Sequence, residues 1–436
     1  MVDSKEFARR RRELMAMMEK NSIAIVTAAP ERTRSRDTCF PYRQDSDFHY
    51  LSGFPEPEAV LVLIPGRQQG QFVMFCRERD RAREIWDGYR AGPGGACVDY
   101  GADDAFPVAD IDEILPGLLE GKERVYYAVG KDRDFDQHLM SWVNNIRGRA
   151  RAGAVPPGEF VDLDHLLHEM RLFKKPAELK LMRKAGQISA AAHCKAMALA
   201  RPGMSEYQLQ AEIEYEFASA GAAFPAYTSI VGGGDNGCIL HYVTNNGVLG
   251  DGDLVLIDAG CEYQHYAADI TRTFPVNGVF SAEQKALYEI VLNAQLAAIE
   301  TVAAGRHWNE PHEVTVEVIT AGLVDLGLLK GKVSELIEKG AYTDFYMHRA
   351  GHWLGMDVHD VGDYKIDNEW RLLEPGMVMT VEPGIYVAPD NRKVAKKWRG
   401  IGIRIEDDVA ITRKGAEVLT AGVPKTVADI EALMAR

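Results

Sequence analysis

The stretch VLIDAGCEYQHYAADITRTF, residues 255–274, decides the fold of the C-terminal part of this chain. Its two apolar runs, separated by a polar centre, predict two strands joined by a short turn. Each strand carries one aspartate among apolar residues, Asp258 in the first and Asp269 in the second. A buried carboxylate without a partner is unstable or becomes neutral, so both aspartates require a compensating charge.

The pairing of these strands predicts that the two aspartates lie close together. If strands 254–259 and 266–274 pair around a turn at 263–264, Asp258 faces Asp269 directly. Directly opposed residues have Cβ atoms about 4.5–5.5 Å apart on one face of a sheet. Carboxylates that close repel each other, so they share a proton or hold a cation between them.

A second pair of predicted strands supplies two more acids. The stretch MVMTVEPGIYV places Glu382 after an apolar run, and GIGIRIEDDVAI places Glu406 on the same face as Arg404. An ion pair with Arg404 would account for Glu406 alone. It does not account for four acids, each within an apolar strand.

Histidines cluster between these strands. The segment YMHRAGHWLGMDVHDVG contains His348, His352 and His359, and ILHYVTNN contains His241. A single histidine beside apolar residues is more often structural than a ligand, whereas this clustering indicates a site. From composition and spacing alone, a metal site and a set of buried ion pairs remain alternatives.

If the site is a metal site, its donors narrow the choice of metal. Four carboxylates and one imidazole suit manganese, cobalt, iron or zinc better than a thiolate-selected metal. Two divalent ions balance four carboxylates, whereas one ion leaves excess negative charge. Ions in such sites lie about 3.5–4 Å apart, and a hydroxide bridging them is a nucleophile near neutral pH.

The first part of the chain alternates strand and helix signals, which predicts a mixed α/β domain. The strand signals are SIAIVTAA, EAVLVLIPG, QFVMFC and RVYYAVG, and helical patterns lie near 5–19 and 134–147. No GxGxxG follows a strand, so dinucleotide binding has no support. We place the domain boundary near residue 172, which gives domains 1–172 and 173–436.

The second domain begins with helices. Pro176 starts a helical pattern that extends to about Leu199. Two capping boxes predict the starts of further helices, Ser205 with Gln208 and Ser281 with Gln284. Helices followed by an acidic hairpin occur twice, which indicates two related halves.

Composition excludes several classes of protein. The net charge of −14 argues against nucleic-acid binding, and no apolar run approaches the ~18–20 residues that span a bilayer. The six cysteines form no CxxC pair and the N-terminus has no secretory pattern, which favours the cytoplasm. The basic run Arg9 to Arg12 predicts a solvated helix face.

At these residues the chain resembles the pita-bread metallopeptidases, in the branch of aminopeptidase P and prolidase. The resemblance rests on PYRQDSDFHYLSGFPEPEAVLVL, IVGGGDNGCILHY, LIDAGCEYQHYAADITRTFPVNG, HWLGMDVHDVG, EPGMVMTVEPGIY and GIGIRIEDD, and covers nearly the whole length. It implies an α/β (α+β) protein whose C-terminal pita-bread domain has halves related by a pseudo-twofold axis.

The resemblance also implies roles for individual residues. The implied metal ligands are Asp258, Asp269, His352, Glu382 and Glu406, with Asp269 and Glu406 bridging two ions and Glu382 also moving protons.

Other implied roles lie around these ligands. His241, His348 and His359 would orient the scissile carbonyl and stabilise the tetrahedral intermediate, and Arg404 would support a ligating aspartate. Tyr227 would line the substrate pocket, while Asp37 and Trp86 would reach a neighbouring subunit's site in a homodimer or homotetramer.

One position departs from the family pattern. Relatives usually have glycine directly after the histidine that corresponds to His348, upstream of HWLG, whereas this chain has Arg349 there. Metal binding is unaffected by this change, but the length and charge of preferred substrates are put in question.

The expected function is a metallo-aminopeptidase that hydrolyses the Xaa-Pro bond at the N-terminus of peptides, by a metal-bridging hydroxide. The two ions are expected to be Mn²⁺, with Co²⁺ or Zn²⁺ as alternatives. One rival is a prolidase acting on Xaa-Pro dipeptides, with possible organophosphate hydrolysis. The other is a pita-bread protein that binds peptides without cleaving them.

Overall fold

A six-stranded mixed sheet forms the centre of the first of two units in this computed structural model, which describes residues 3–435. The first unit ends at Met170 and the second begins at Arg171. In spatial order the strands are Asp104–Pro107, Phe72–Cys76, Val60–Leu63, Ser22–Thr27, Arg124–Tyr126 and Glu159–Val161. The middle strands are buried on both faces, as their continuous apolar sequences require.

Helices and a small hairpin complete this unit. The α-helices are Ser4–Met17, Ser46–Ser52, Arg81–Asp87, Gly92–Val98, Ile111–Leu119, Arg133–Gly148 and Asp164–Leu172, the last of which ends in the second unit. The hairpin pairs Thr33–Ser35 with Thr38–Cys39. The predicted strands and helices of this part are therefore present.

The basic residues of the first helix do not form the solvated face that the sequence predicts. Arg10 and Arg11 are only 1% and 5% exposed. Their guanidinium groups donate to the backbone carbonyls of Tyr50 and Leu51, and they lie on the rings of Tyr50 and Phe72. Arginine can be buried in this way because its planar group stacks on aromatic rings while its N–H groups remain hydrogen-bonded.

The second unit surrounds its strands with long helices. Its further α-helices are Pro176–Leu199, Glu206–Ser219, Ala282–Thr301, Glu310–Asp325, Val333–Glu338 and Val427–Met434. Both predicted capping boxes are present, at Ser205 with Gln208 and at Ser281 with Gln284. None of the helices in residues 3–435 is both long and apolar enough to cross a bilayer.

The strands of this unit form small sheets. They are Phe224–Pro225, Ile230–Gly233, Leu254–Asp258, Cys261–Tyr263, Tyr266–Ala267, Thr271–Pro275, Lys365–Ile366, Glu369–Trp370, Val378–Val381, Gly384–Val387, Ile401–Arg404, Asp407–Thr412 and Gly415–Val418. A buried cluster of apolar side chains from the helices and strands fills the space between them.

The first acidic hairpin, residues 254–275, has a register that differs from the predicted one. Asp258 pairs with Thr271, not with Asp269. The turn falls at Gln264 and His265, whose φ angles are +51° and +65°. Positive φ at both central residues is the type I′ arrangement that matches strand twist, and it moves the pairing by two residues.

Asp269 instead lies opposite Gly260, where the ladder is interrupted. The flanking backbone bonds, Ala259 N–H to Ile270 and Ala268 N–H to Cys261, hold this register. A Cβ on Gly260 would lie 1.7 Å from the Ala268 carbonyl oxygen, so only glycine fits there. The two aspartates are therefore diagonal neighbours on one face of the hairpin.

The second acidic hairpin, residues 378–412, is interrupted in the same way. Val381 pairs with Asp407, and Gly384 pairs with Arg404. Glu382 and Glu406 consequently lie opposite each other in the gap between the two ladders. Each half of the unit thus contributes two carboxylates from a hairpin interruption, which agrees with the predicted related halves of a pita-bread domain.

Candidate metal centre

The second unit contains a cavity of about 480 Å³ at the two hairpin interruptions. Its lining includes ten residues that the sequence singled out. They are Tyr227, His241, Asp258, Asp269, His348, His352, His359, Glu382, Arg404 and Glu406. Residues far apart along the chain therefore meet at one place.

Asp258 and Asp269 share a phenol partner. The Tyr227 hydroxyl lies 2.5 Å from Oδ1 of each aspartate, so its single proton can be donated to only one of them at a time. Arg404 donates to the other oxygen of Asp258, Oδ2, at 2.6 Å. The guanidinium thus pairs with Asp258 and leaves Glu406 to other partners.

The remaining acids cluster around His352. Its Nε2 lies 3.3 Å from Asp269 Oδ2 and 3.8 Å from Glu382 Oε1. Glu406 accepts a hydrogen bond from the Thr271 hydroxyl at 2.6 Å. Ligand atoms of Asp269, His352 and Glu406 all lie within 4.8 Å of one another, close enough to hold a common cation.

The basic side chains of the cavity do not neutralise its four carboxylates. Burial, reinforced by the neighbouring carboxylates, raises the pKa of Glu406 well above its usual range and that of Glu382 to about 7. Burial also raises the pKa of Asp258, although Arg404 opposes the shift. Carboxylates that resist ionisation when only protein groups surround them fit a site for divalent cations.

His352 and Asp269 form an ionised pair. Burial lowers the pKa of His352, but the hydrogen bond with Asp269 and the nearby Glu382 charge raise it to about 9. Burial raises the pKa of Asp269, yet the same hydrogen bond brings it below the usual value. A cation that binds here must therefore displace a proton from the imidazole.

A hydrogen-bond chain fixes His348. Its Nδ1–H donates to the Arg349 carbonyl at 2.8 Å, which leaves Nε2 to accept from the Tyr386 hydroxyl at 2.9 Å. Tyr386 in turn accepts from Arg404 at 2.9 Å. Burial and the Arg404 charge lower the pKa of His348 to about 3, so this imidazole is neutral at physiological pH.

The other two histidines lie at the exposed side of the cavity. The His359 ring centroid lies 4.3 Å from that of His352, and burial followed by the His352 charge lowers its pKa. His241 precedes Tyr242, whose hydroxyl donates to the buried Glu206 at 2.8 Å. Glu206 also accepts from the Gly233 and Gly247 N–H groups, and so holds the His241 loop.

Three site residues were missed by the sequence analysis. Tyr386 links Arg404 to His348, Thr271 binds Glu406, and the Asp408 carboxylate accepts from the Asp269 N–H at 3.1 Å. Each is bonded to a partner that is distant along the chain, so the local sequence gave no signal.

Asp37 and Trp86 belong to the first unit. Asp37 is exposed in the turn of the small hairpin, and Trp86 is 84% exposed on the helix Arg81–Asp87. Their suggested role at a neighbouring subunit remains a prediction.

Comparison with known proteins assigns the family. The model of metallopeptidase family M24 matches residues 180–413, and that of the aminopeptidase P N-terminal domain matches residues 7–126. The chain belongs to metallopeptidase family M24. It is therefore a hydrolase, and the predicted pita-bread fold class is confirmed.

Relatives match over the full length of this M24 member. It is 49% identical to the Xaa-Pro aminopeptidase of Escherichia coli strain K12 over 434 residues, which cover 99% of this chain and 98% of the relative. The structure of Pseudomonas aeruginosa aminopeptidase PepP has a TM-score of 0.99 and 66% identity, covering 100% of this chain and 98% of that one. Zn-substituted E. coli aminopeptidase P in complex with product has a TM-score of 0.97 and 49% identity, covering 99% and 98%.

Proposed function

We propose that this chain is an Xaa-Pro aminopeptidase, which hydrolyses the bond between an N-terminal residue and a following proline. One observation carries the proposal: four carboxylates and one imidazole converge on the wall of a single cavity. The full-length similarity to the E. coli Xaa-Pro aminopeptidase supports the substrate class. Proline specificity itself rests on that similarity.

Two divalent ions fit the donor set, and Asp258, Asp269, His352, Glu382 and Glu406 would hold them. Oxygen-rich sets of this kind suit Mn²⁺, which we propose as the natural ion, while Co²⁺ and Zn²⁺ also suit it. When bound, such ions lower the pKa of water and polarise the scissile carbonyl.

Glu382 is placed to move the proton of the reaction. As a carboxylate on the cavity wall, it can accept a proton from the attacking water and release it to the departing proline nitrogen. His348 lies beside it, with Nδ1 3.7 Å from Glu382 Oε2. The neutral His348 and the more exposed His241 and His359 can position the scissile carbonyl and stabilise charge that develops on its oxygen.

The proline bond explains why a dedicated peptidase is needed. An Xaa-Pro bond is a tertiary amide without an N–H group, so enzymes that bind that hydrogen cannot use it. A site that acts through the carbonyl oxygen and a nearby carboxylate does not require it.

Substrate length distinguishes this proposal from a prolidase. The metal-loaded protein is expected to cleave the tripeptide Ala-Pro-Ala, and release of alanine measures the rate. Activity restricted to the dipeptide Ala-Pro would overturn the proposal in favour of a prolidase. Absence of hydrolysis after loading with Mn²⁺, Co²⁺ or Zn²⁺ would favour a peptide-binding protein.

Metal content tests the ligand assignment. Glu382→Gly and Glu406→Gly should each lose bound metal while the fold is retained, as measured by elemental analysis and circular dichroism. Glu374→Gly is the matched control, because Glu374 is exposed in a nearby loop and does not line the cavity. Retained metal and activity in either ligand variant would contradict the assignment.

We further propose that the protein acts in the cytoplasm as a homodimer or homotetramer, with Asp37 and Trp86 near a neighbouring copy's site. The exposed Trp86 supports this, since large exposed aromatics are enriched at protein interfaces. Light scattering after size-exclusion chromatography measures the oligomeric state, and a monomeric enzyme with full activity would contradict the proposal.

A further inference from the structure

An unneutralised cation lies at the rim of the cavity. Arg349 directly follows His348 and lines the cavity, and its side chain is exposed. Within residues 3–435, no carboxylate forms an ion pair with this guanidinium, although the chain as a whole carries a net charge of −14. An arginine left without an acidic partner beside a substrate cavity is available to bind an anion.

Two neighbours hold the Arg349 side chain in place. Its Nη2 donates to the Asn309 side-chain oxygen, and its Cζ lies 4.9 Å from the centroid of the Trp370 ring. Stacking on an aromatic face and a hydrogen bond to a neutral amide both orient a guanidinium without neutralising it. No other side chain in residues 3–435 hydrogen-bonds this guanidinium, so its remaining N–H groups can form a two-bond contact with a carboxylate.

A second cation lies on the ring that holds Arg349. Lys365 also lies on the Trp370 ring, 4.5 Å from its centroid. Glu313 is bound to the Asn309 amide nitrogen at 2.5 Å and forms no ion pair with the guanidinium. His312 contributes no competing charge, because burial and the Arg349 charge lower its pKa to about 4.

The direction of the substrate follows from the proposed function, on which this inference rests. An aminopeptidase accommodates only one residue before the scissile bond, so the rest of the peptide extends away from the reacting carbonyl. Asp269 and Glu406 are only 5% and 2% exposed, whereas Arg349 lies at the exposed rim. Residues after the proline therefore extend towards the open side of the cavity.

We propose that Arg349, oriented by Asn309 and Trp370 and assisted by Lys365, is a specificity residue that binds a carboxylate of the peptide beyond the proline. In a tripeptide this group is the C-terminal carboxylate, about 7 Å beyond the scissile carbonyl for two extended residues. In a longer peptide it is an aspartate or glutamate side chain. The shared chemistry is a carboxylate on the leaving-group side.

The first experiment compares Ala-Pro-Ala as the free acid with its C-terminal amide, using the metal-loaded protein at low ionic strength. The free acid should be preferred by about three- to tenfold in kcat/KM, mainly through KM, because the contact forms equally before and during the reaction. Arg349→Gln should abolish this preference while the amide is still cleaved. Arg349→Lys should keep part of it, because the charge remains and the two-bond fork is lost.

Arg413→Gln is the matched control. It removes one exposed positive charge from the same unit at a residue that does not line the cavity, so it should leave the preference unchanged. The preference should also shrink as salt is raised from about 20 to 500 mM, because exposed charges are screened.

A second comparison separates the two sources of the carboxylate. Ala-Pro-Glu-amide and Ala-Pro-Gln-amide differ only in the charge of one side chain. If the glutamate peptide is preferred and Arg349→Gln removes that preference, Arg349 binds a side-chain carboxylate. If only the first comparison shows a preference, Arg349 binds the C-terminal carboxylate.

Three outcomes overturn the inference. Equal cleavage of all four peptides, or an unchanged preference in Arg349→Gln, would overturn it and leave the proposed aminopeptidase function intact. Cleavage of none of the four would overturn both.

Discussion

At the scale of single residues, the Tyr386 hydroxyl links two groups of the cavity by hydrogen bonds. It accepts from Arg404 and donates to His348, so it connects the partner of Asp258 to a cavity imidazole. The bond from Nδ1–H to the Arg349 carbonyl sets the tautomer of His348, and the Tyr386 hydroxyl fixes the ring by donating to the Nε2 that remains an acceptor.

Tyr386→Phe should therefore impair catalysis beyond its effect on stability. It removes the partner of the Arg404 Nη1–H group and of His348 Nε2, which lowers the free energy of unfolding by about 1–3 kcal/mol. Loss of the fixed imidazole should lower kcat on the order of 10- to 100-fold. Urea denaturation and steady-state kinetics with Ala-Pro-Ala measure the two effects.

Tyr288→Phe provides the comparison. The Tyr288 hydroxyl is also buried and donates to the Lys425 carbonyl at 2.9 Å, but it lies outside the cavity. An equal fall of kcat in both variants would show that the Tyr386 chain has no role beyond stability.

Residue types could be predicted at this scale more readily than their partners. Acids within apolar strands indicated a charged site from sequence alone, and the family resemblance then suggested individual ligands. The partners had no such signal, because Arg404 reaches Asp258 from a strand more than a hundred residues away. Only folding brings Thr271 to Glu406 and Asp408 to Asp269.

At the scale of elements, the loop that carries His241 depends on one buried carboxylate. Glu206, at the start of the helix Glu206–Ser219, is 1% exposed and accepts from four donors. Those donors are two backbone N–H groups, the Asn236 amide and the Tyr242 hydroxyl. The helix terminus therefore fixes the path of the loop.

Glu206→Gln should loosen this loop while the helix remains. The amide places an N–H₂ group against existing donors, so the free energy of unfolding should fall by about 1.5–3 kcal/mol. Hydrogen exchange should accelerate within residues 234–249, and KM for Ala-Pro-Ala should rise as His241 loses its position.

Glu212→Gln on the same helix is the control. Glu212 pairs with Lys195 at 3.1 Å near the surface, and such pairs contribute about 1 kcal/mol or less. If both variants exchanged hydrogen at the same rate within 234–249, Glu206 would not hold the loop.

The elements themselves could be predicted well, whereas one register could not. Apolar periodicity and capping boxes located four strands of the first domain and the starts of five helices to within a few residues, but they gave no signal for the helix Glu310–Asp325. The predicted register of the first hairpin was wrong because Gln264 and His265 adopt positive φ angles. Neither residue type indicates such a turn in the way that Asn-Gly does. The close approach at Gly260 was equally invisible, since it depends on the register.

At the scale of the whole molecule, a buried neutral histidine connects stability to pH. His193 is fully buried, and its Nε2–H donates to the Ala259 carbonyl at 2.8 Å. Burial lowers its pKa from 6.5 to about 4. Between these values the unfolded chain binds a proton that the folded protein does not.

The metal-free protein should therefore lose stability as the pH falls from about 6.5 to about 4, with the full contribution of His193 present above this window. The shift corresponds to about 3 kcal/mol. Urea denaturation at several pH values should show this slope, and His193→Gln should reduce it. His307→Gln, at an exposed position, should keep the native slope, and identical slopes in all three proteins would contradict the prediction.

The two interrupted hairpins have a consequence for biosynthesis. One pair of carboxylates ends at Asp269 and the other begins only at Glu382, so more than a hundred residues separate them. A nascent chain on the ribosome therefore holds only one of the two carboxylate pairs until the segment that carries Glu382 and Glu406 has emerged.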